Sequence, residues 1–263
     1  MNIIAELLGH AHISVVATIA CASLFAGFFD AIVGGGGLVL VPALFSAFPN
    51  ASPSTLFGTG KAASTWGTAW AALQYSKRVT ISWRSLIPAA MFALVGSTLG
   101  AWTTTVIAPT ALRKVLPAVL LCVFLYSLFK RDLGKHHQPR FSTLVEAVVA
   151  SPCALAVGFY DGFFGPGTGS FFVFLFVRVI GYDFLHASAA SKALNSATNC
   201  AALALFAYSG NIWWDYAAVM AIGNIIGSVA GTVVALRRGP AFVRVVFIGV
   251  VGALILKTGA AAL

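Results

Sequence analysis

Two lysines stand inside apolar segments of this sequence, where a charged side chain is costly. Lys61 and Lys192 each lie about seven residues into a stretch long enough to span a membrane. A charge at that depth costs about 2.5–3.5 kcal/mol on membrane-insertion scales. One such lysine is explained by snorkelling to the interface or by an acidic partner. Two such lysines at matching places of two apolar segments indicate an anion site within the membrane.

Each lysine begins a row of polar residues at offsets of three, four and seven, which places the row on one face of a helix. The two rows are Lys61, Ser64, Thr65, Thr68 and Lys192, Asn195, Ser196, Asn199. Neither row contains an acid, so each ammonium group is accompanied by neutral donors, as an anion requires. Polar faces also join membrane helices through hydrogen bonds, and that alternative stays open.

A glycine-rich break precedes each of these rows. The first runs from Gly34 to Gly37 and the second from Gly165 to Gly169. Irregular backbone in a bilayer is tolerated where it is buried in protein or lines a wet cavity. A helix that restarts after such a break directs N–H groups and the positive end of its dipole toward it, which suits an anion. A hinge or close-packing role is the alternative.

Asp30 and Asp161 lie four residues before the two breaks, also among apolar residues. Each is either the counter-ion of a lysine or a proton acceptor that couples transport. We favour structural pairing, with the lysines or with the unwound backbone.

The composition defines the class of protein that must position these residues. Charged residues form 9% and apolar residues 59% of the 263 residues, and the mean hydropathy is +0.93. A soluble domain carries about 25% charged residues, and a disordered chain has far fewer apolar ones. The sequence therefore predicts an all-α polytopic membrane protein. The net charge of +9 does not indicate nucleic-acid binding, because most basic residues cluster between apolar runs as topology signals do.

The chain repeats itself at a constant offset of 131 residues, which returns Gly27-Phe28-Phe29-Asp30 as Gly158-Phe159-Tyr160-Asp161 and Lys61-Ala62 as Lys192-Ala193. Each half contains four long apolar segments and one short segment that follows the glycine break. The predicted segments are 13–33, 38–48, 54–76, 85–107 and 115–129, then 142–164, 169–180, 186–208, 215–236 and 243–262. Short, interrupted helices at matching places of two halves are typical of a transporter's binding site.

The basic residues indicate how the two halves are oriented. With five crossings in each half, eleven basic residues lie on the cytoplasmic side and three outside, whereas four crossings give eight against six. The positive-inside rule favours the first arrangement. We therefore predict inverted repeats at 1–130 and 142–263, joined by a basic cytoplasmic linker at 131–141, with both termini outside.

The motifs resemble the TauE/SafE family of membrane permeases. The resemblance rests on Phe-Phe-Asp-Ala-Ile-Val-Gly-Gly-Gly-Gly, on Gly-Thr-Gly-Lys, and on the second-half run from Tyr160 to Gly169 with Lys192 and Asn195 after it. It implies a bacterial inner-membrane transporter that exports sulfite or an organosulfonate such as sulfoacetate. Family members are often drawn with eight spans, two fewer than the ten segments predicted here. Pro166 makes the two breaks unequal, so the two half-sites need not be equivalent.

We therefore predict alternating access at a midplane site between the repeats, with a small anion and the bilayer as partners, room for a homodimer, and no cofactor, metal or nucleic acid. The predicted binding residues are Lys61, Lys192, Gly35, Gly36, Gly37, Gly167, Thr168, Gly169, Ser64, Thr65, Asn195 and Asn199. The alternatives are a proton- or cation-coupled importer and a non-transporting membrane subunit. An enzyme is disfavoured because the sequence lacks HExxH and GxSxG motifs.

Overall fold

A computed structural model describes residues 10–108, 110–111 and 137–261, and within these ranges the regular secondary structure is helical. The helices are α1 (His10–Val33), α2 (Gly37–Ala47), α3 (Pro53–Arg78), α4 (Trp83–Val106), α5 (Thr143–Phe163), α6 (Thr168–Phe174), α7 (Phe184–Tyr208) and α8 (Trp214–Ala261). A π-helical segment, Leu175–Ile180, continues α6. Gly239 interrupts α8 with non-helical backbone. The all-α prediction is confirmed for these residues.

The helix boundaries follow the predicted segments within a few residues. The segment predicted at 243–262 falls on the part of α8 beyond Gly239. The segment predicted at 115–129 and most of the predicted linker, up to residue 136, lie outside the described residues. The ten-segment arrangement is therefore not decided by the helices alone.

Four described helical segments are long and apolar enough to cross a membrane: Ile13–Val33, Trp83–Val106, Thr143–Phe163 and Trp214–Gly239. Helices α3 and α7 have 26 and 25 residues, which exceeds the roughly 20 needed to span. Their polar rows make them less apolar on average. Even so, Trp66 and Trp70 of α3 are exposed on its outer side, as lipid-facing residues are.

The outer face of α4 is a continuous apolar band. Its exposed residues at helical spacing are Ile87, Met91, Val95, Leu99 and Trp102. In water such a face would be costly, whereas in a bilayer it meets lipid. Together with the four apolar helices, this band identifies a multi-pass membrane protein.

The two glycine breaks cross each other at the centre of the molecule. The chain leaves α1 at Gly34, which has a φ of +79°, and leaves α5 at Gly165, with a φ of +81°. Gly34 lies against Gly169 so closely that a Cβ atom on either residue would overlap the other's backbone. Only glycine meets both the backbone angle and the contact at Gly34.

The largest buried apolar cluster surrounds this crossing. It joins Ile32 and Val33 at the end of α1 with Phe172 of α6, Phe176 of the π-helical segment and Leu194 of α7. The apolar core therefore encloses the irregular backbone on both sides, as a membrane requires of non-helical segments.

The helices pack across the two halves in a reciprocal pattern. Helix α4 crosses α5 where Gly96 meets the Leu155 carbonyl, and α8 crosses α1 where Gly227 meets the Leu24 carbonyl. The second contact is the first one with the halves exchanged, at the offset of 131. The serine that follows each glycine repeats the pattern, because Ser97 donates to the Thr198 carbonyl at 2.7 Å and Ser228 to the Gly67 carbonyl at 2.6 Å.

These crossings predict that Gly227→Ala destabilises the fold. A methyl group there would overlap the backbone of α1, and overpacking costs about 1–3 kcal/mol. Gly60→Ala is the matched control, because its added methyl meets only side-chain ends, Leu44 Cδ1 at 3.3 Å and Leu40 Cδ2 at 3.9 Å. There the gain in helix propensity, about 1 kcal/mol, offsets the crowding. Thermal unfolding of the two purified variants in detergent measures these effects. Equal melting temperatures of Gly227→Ala and Gly60→Ala would contradict the close crossing.

Candidate functional site

A cavity of about 50 Å³ lies beside the crossing of the two breaks. Helices α1, α2, α3, α5, α6, α7 and α8 all contribute residues to its wall. Its polar lining includes Asp30, Lys61, Ser64, Asp161 and Asn195. On the same scale one water molecule needs roughly 10–15 Å³, so the space suits a ligand the size of a few waters.

Lys61 lies on the cavity wall and is held by two partners from the other half of the chain. It is the ninth residue of α3, about 12 Å from the start of the helix at 1.5 Å per residue. Its Nζ lies 2.7 Å from Asp161 Oδ2 and donates a hydrogen bond of 2.7 Å to Asn199 Oδ1. Asp161 Oδ2 is itself buried and receives no aligned hydrogen bond from the described residues.

Lys192 occupies the matching place in α7 but lies deeper. It is the ninth residue of that helix, which begins after Asp183 accepts two backbone N–H bonds at its N-terminus. Its side chain is fully buried, and its Nζ lies 2.9 Å from Asp30 Oδ2. Unlike Lys61, it does not line the cavity. Asp30 lines the cavity and therefore lies between Lys192 and the cavity.

A chain of hydrogen bonds connects the two ion pairs. Asn199, whose oxygen accepts from Lys61, donates through Nδ2 to Thr68 Oγ1 at 3.4 Å. Thr68 donates to Asp30 Oδ2 at 3.2 Å, and Lys192 donates to the same oxygen. Thr68 and Asn199 are themselves repeat partners at the offset of 131. The two ion pairs are thus connected through two neutral side chains.

The predicted site residues divide into two groups. Those on the cavity wall are Gly36, Gly37, Lys61, Ser64, Gly169, Asn195 and Asn199, together with Asp30 and Asp161. Those that do not line it are Gly35, Thr65, Gly167, Thr168 and Lys192. Thr65 uses its hydroxyl on the Lys61 carbonyl, and Thr168 directs both its hydroxyl and its N–H to the Gly165 carbonyl.

Side chains next to the cavity hold the irregular backbone in place. Tyr75 donates to the Ala31 carbonyl at 3.0 Å and Tyr160 to the Pro166 carbonyl at 2.6 Å. Ser170 donates to the Val33 carbonyl and Ser191 to the Gly169 carbonyl. These bonds tie the irregular backbone at both breaks to the neighbouring helices.

The cavity wall also contains residues that the sequence did not select. They include Gly34, Phe57, Thr68, Phe164, Gly165 and Asn224. Thr68 belonged to the predicted polar row and could have been included on that basis. Asn224 has Ala93 as its repeat partner, so a repeat argument passes over it. A lone asparagine in an apolar helix was the available signal.

Comparison with known proteins identifies the family of this chain. The family model described as "Sulfite exporter TauE/SafE" matches residues 19–258. The chain belongs to the TauE/SafE family.

Curated TauE/SafE relatives match this chain over most of their length. "Probable membrane transporter protein ORF9" from Sinorhizobium sp. is 34% identical over 224 residues, 85% of this chain and 84% of its own. "Probable membrane transporter protein YfcA" from Escherichia coli K12 is 35% identical over 84% of this chain and 81% of its own. A Haemophilus influenzae protein described as "Probable membrane transporter protein" is 34% identical over 88% of this chain and 89% of its own. No solved structure matches the chain significantly.

These relationships point to a membrane transporter rather than an enzyme. A transporter of this family binds a small substrate and works within the lipid bilayer. The resemblance found in the sequence is confirmed at the level of the family.

The buried pairs predict a large loss of stability when one partner is neutralised. Asp30→Asn leaves the Lys192 ammonium buried without its counter-charge, which costs about 3–5 kcal/mol. Combining it with Lys192→Met removes that charge, so the double variant should be more stable than Asp30→Asn alone. Asp215→Asn is the control, because Asp215 is exposed in the first turn of α8. This change should lower the free energy of unfolding by less than about 1 kcal/mol. Chemical unfolding in detergent tests this order of stabilities. An Asp30→Asn variant with the same free energy of unfolding as the unaltered chain would refute the prediction.

Proposed function

We propose that this protein is a secondary transporter that exports a small sulfur-containing anion, sulfite or an organosulfonate such as sulfoacetate, across the bacterial inner membrane. The observation that carries the proposal is the Lys61 ammonium on the wall of a cavity between the two halves. The name of the matching family supports the sulfur chemistry. A cavity with room for a few waters agrees with a compact oxyanion.

The neighbours of Lys61 can complete an oxyanion site. Ser64 and Asn195 line the same cavity, and their side chains are neutral donors, although the Ser64 hydroxyl donates weakly to the Lys61 carbonyl in this state, at 3.4 Å. Gly36 and Gly37 also line the cavity, and each packs so closely that a Cβ atom would overlap Ala26 or Pro166. Charge-assisted hydrogen bonds of this type contribute about 1.5–3 kcal/mol each. Lys61 would hold the charge and the neutral donors the remaining oxygens.

Binding of an anion at Lys61 requires a rearrangement of its ion pair with Asp161. The lysine is neutralised in the described state, so an incoming anion competes with the carboxylate. Asn199 bridges the two ion pairs through Thr68, and a shift of Lys61 would therefore reach Asp30 and Lys192. That coupling gives substrate binding a route to change the contact between the halves.

The direction of transport follows from the charge of the substrate. An anion that leaves an inside-negative cell gains about 2.3 kcal/mol per charge per 100 mV. Export can therefore proceed without a coupling ion.

Alternating access is proposed to use the two halves as inverted repeats. The exchanged contacts of α4 with α5 and of α8 with α1 support a two-fold relation between the halves. The distribution of basic residues supports an axis in the membrane plane. Five crossings in each half would follow.

A proton-coupled importer is the second candidate, and the ion pairs favour it specifically. Protonation of Asp161 would release Lys61 for an anion, so a proton and an anion would enter the site together. Asp161 lines the cavity and lies 2.7 Å from the Lys61 Nζ, so it is the carboxylate that would take up such a proton.

Efflux from proteoliposomes tests the proposed function. We expect vesicles loaded with sulfite, thiosulfate or sulfoacetate to release at least one of these anions faster than a sulfur-free carboxylate, with an outward-driving potential and no pH gradient. Lys61→Met should slow that release by roughly tenfold or more, since it removes a charge-assisted contact. Lys77→Met, the same change at the exposed end of α3, should leave it unchanged.

Each deviation from this pattern has its own meaning. No flux of any anion would favour a non-transporting subunit. Flux that requires an imposed proton gradient and runs inward would favour the importer. Normal efflux by Lys61→Met would remove Lys61 from the site.

Cysteine labelling tests the inverted topology. In a chain without Cys21, Cys122, Cys153 and Cys200, a membrane-impermeant maleimide should label Ser209→Cys in intact cells. Gln138→Cys should react only after lysis, because the basic linker is predicted to be cytoplasmic. Both positions are exposed in the structure, so access depends on sidedness. The reverse result would end the inverted arrangement.

A further inference from the structure

A second polar cluster lies where the chain enters α5 and α7. His137, Asp183 and His186 each offer one nitrogen or oxygen atom, and these atoms all lie within 4.8 Å of one another. None of the three lines the cavity. The proposed transport function makes no use of them.

The local backbone holds His137 against the start of α7. The N–H of Gln138 donates to the Gly181 carbonyl at 2.9 Å, and that of Arg140 donates to the Ile180 carbonyl at 2.9 Å. Gly181 has a φ of +97°, and a Cβ atom there would overlap the Gln138 carbonyl. Gly181 is thus required both for its backbone angle and for this contact. The segment that carries His137 is fixed by paired backbone hydrogen bonds.

Asp183 orients the ring of His186. Its Oδ1 accepts the N–H groups of Leu185 and His186, each at 2.8 Å, and its Oδ2 lies 2.7 Å from His186 Nδ1. With Nδ1 bound to the carboxylate, Nε2 faces away from it and lies 3.4 Å from Thr80 Oγ1, a long contact that a bound metal ion would replace. Carboxylates that hold one ring nitrogen in this manner are a common support of metal-binding histidines.

The ring of His137 lies next to this oriented imidazole. The two ring centroids are 3.9 Å apart, and the planes are inclined by 30°. His137 is exposed, so rotation of its side chain can bring a nitrogen toward His186 Nε2. Two tetrahedral ligand atoms at about 2.0 Å from a zinc ion are about 3.3 Å apart. Rotation of the His137 side chain has to bring one of its ring nitrogens to about this distance from His186 Nε2.

We propose that His137 and His186, with Asp183, form a binding site for a divalent transition-metal ion of the Zn²⁺ type. Two imidazoles and one carboxylate suit Zn²⁺ and its neighbours, whereas Ca²⁺ and Mg²⁺ prefer oxygen ligands alone. Asp183 serves either as the third ligand or as the group that orients His186. Water completes the coordination.

The Asp183 and His186 part of the site has no counterpart in the first half. At the repeat offset of 131, Asp183 and His186 correspond to Ser52 and Thr55, which have no comparable metal affinity. A bound ion would tie the segment before α5 to the first turn of α7, six residues before Lys192. Metal occupancy would therefore stabilise α7 against that segment at one end of the molecule only.

Zinc titration of the full chain tests the proposal. The protein is purified without a polyhistidine tag, stripped with a chelator, and titrated with Zn²⁺ by calorimetry in detergent. We expect one ion per chain with a micromolar or tighter dissociation constant. His137→Ala and His186→Ala should each weaken binding by at least about tenfold. Asp183→Asn should also weaken it while keeping the helix start, because asparagine is equally effective at that position.

His136→Ala is the matched control, since it removes the adjacent histidine in the sequence, and it should bind Zn²⁺ as the unaltered chain does. Equal melting temperatures of the stripped variants exclude a folding defect, and the unaltered chain should melt at a higher temperature with Zn²⁺. The proposal fails if the stripped chain binds no Zn²⁺ below millimolar concentration. It also fails if a His137→Ala/His186→Ala double variant binds normally, or if His136→Ala weakens binding as much as His137→Ala.

Discussion

Two buried ammonium groups must be neutralised inside an apolar protein, and the architecture follows from how this is achieved. A lone buried charge costs several kcal/mol, whereas a well-placed opposite charge recovers most of that cost. Here each lysine finds its carboxylate in the other half: Lys61 with Asp161, and Lys192 with Asp30. For those contacts to form, the end of α1 must reach α7 and the end of α5 must reach α3. The crossing of the glycine breaks brings the four side chains within reach.

The exchange of partners makes the two halves depend on each other. The sequence divides at about residue 130 into two repeats, but the contacts cross this division at every level. Helix α4 packs on α5, α8 packs on α1, and the acids pair across the same boundary. One half alone would leave a buried lysine unpaired and glycine faces uncovered. The described helices of each half therefore need the other half for charge pairing and close packing.

Much of this fold could be predicted from the sequence, because local patterns encode it. Apolar length and glycine clusters located the helices and breaks, and the repeat gave the two lysines equal weight. The partners of the lysines could not be read in the same way, since Lys61 and Asp161 are 100 positions apart and only packing brings them together. The contact of Gly34 with Gly169 likewise depends on the crossing of the two breaks, and no local signal specifies it.

The unequal positions of the two lysines carry mechanistic information. Lys61 is 9% exposed and lies on the cavity wall, whereas Lys192 is fully buried behind Asp30. Since Lys61 and Lys192 are repeat partners, the difference comes from their surroundings and not from the type of residue. In the proposed alternating access the halves would exchange these states, because two related units can occupy two arrangements with their roles reversed. Lys192 would then line the cavity when it opens to the other side, while Lys61, which is already paired with Asp161, would become fully buried. Thr68 and Asn199 link the two ion pairs by hydrogen bonds, so such an exchange would involve both pairs.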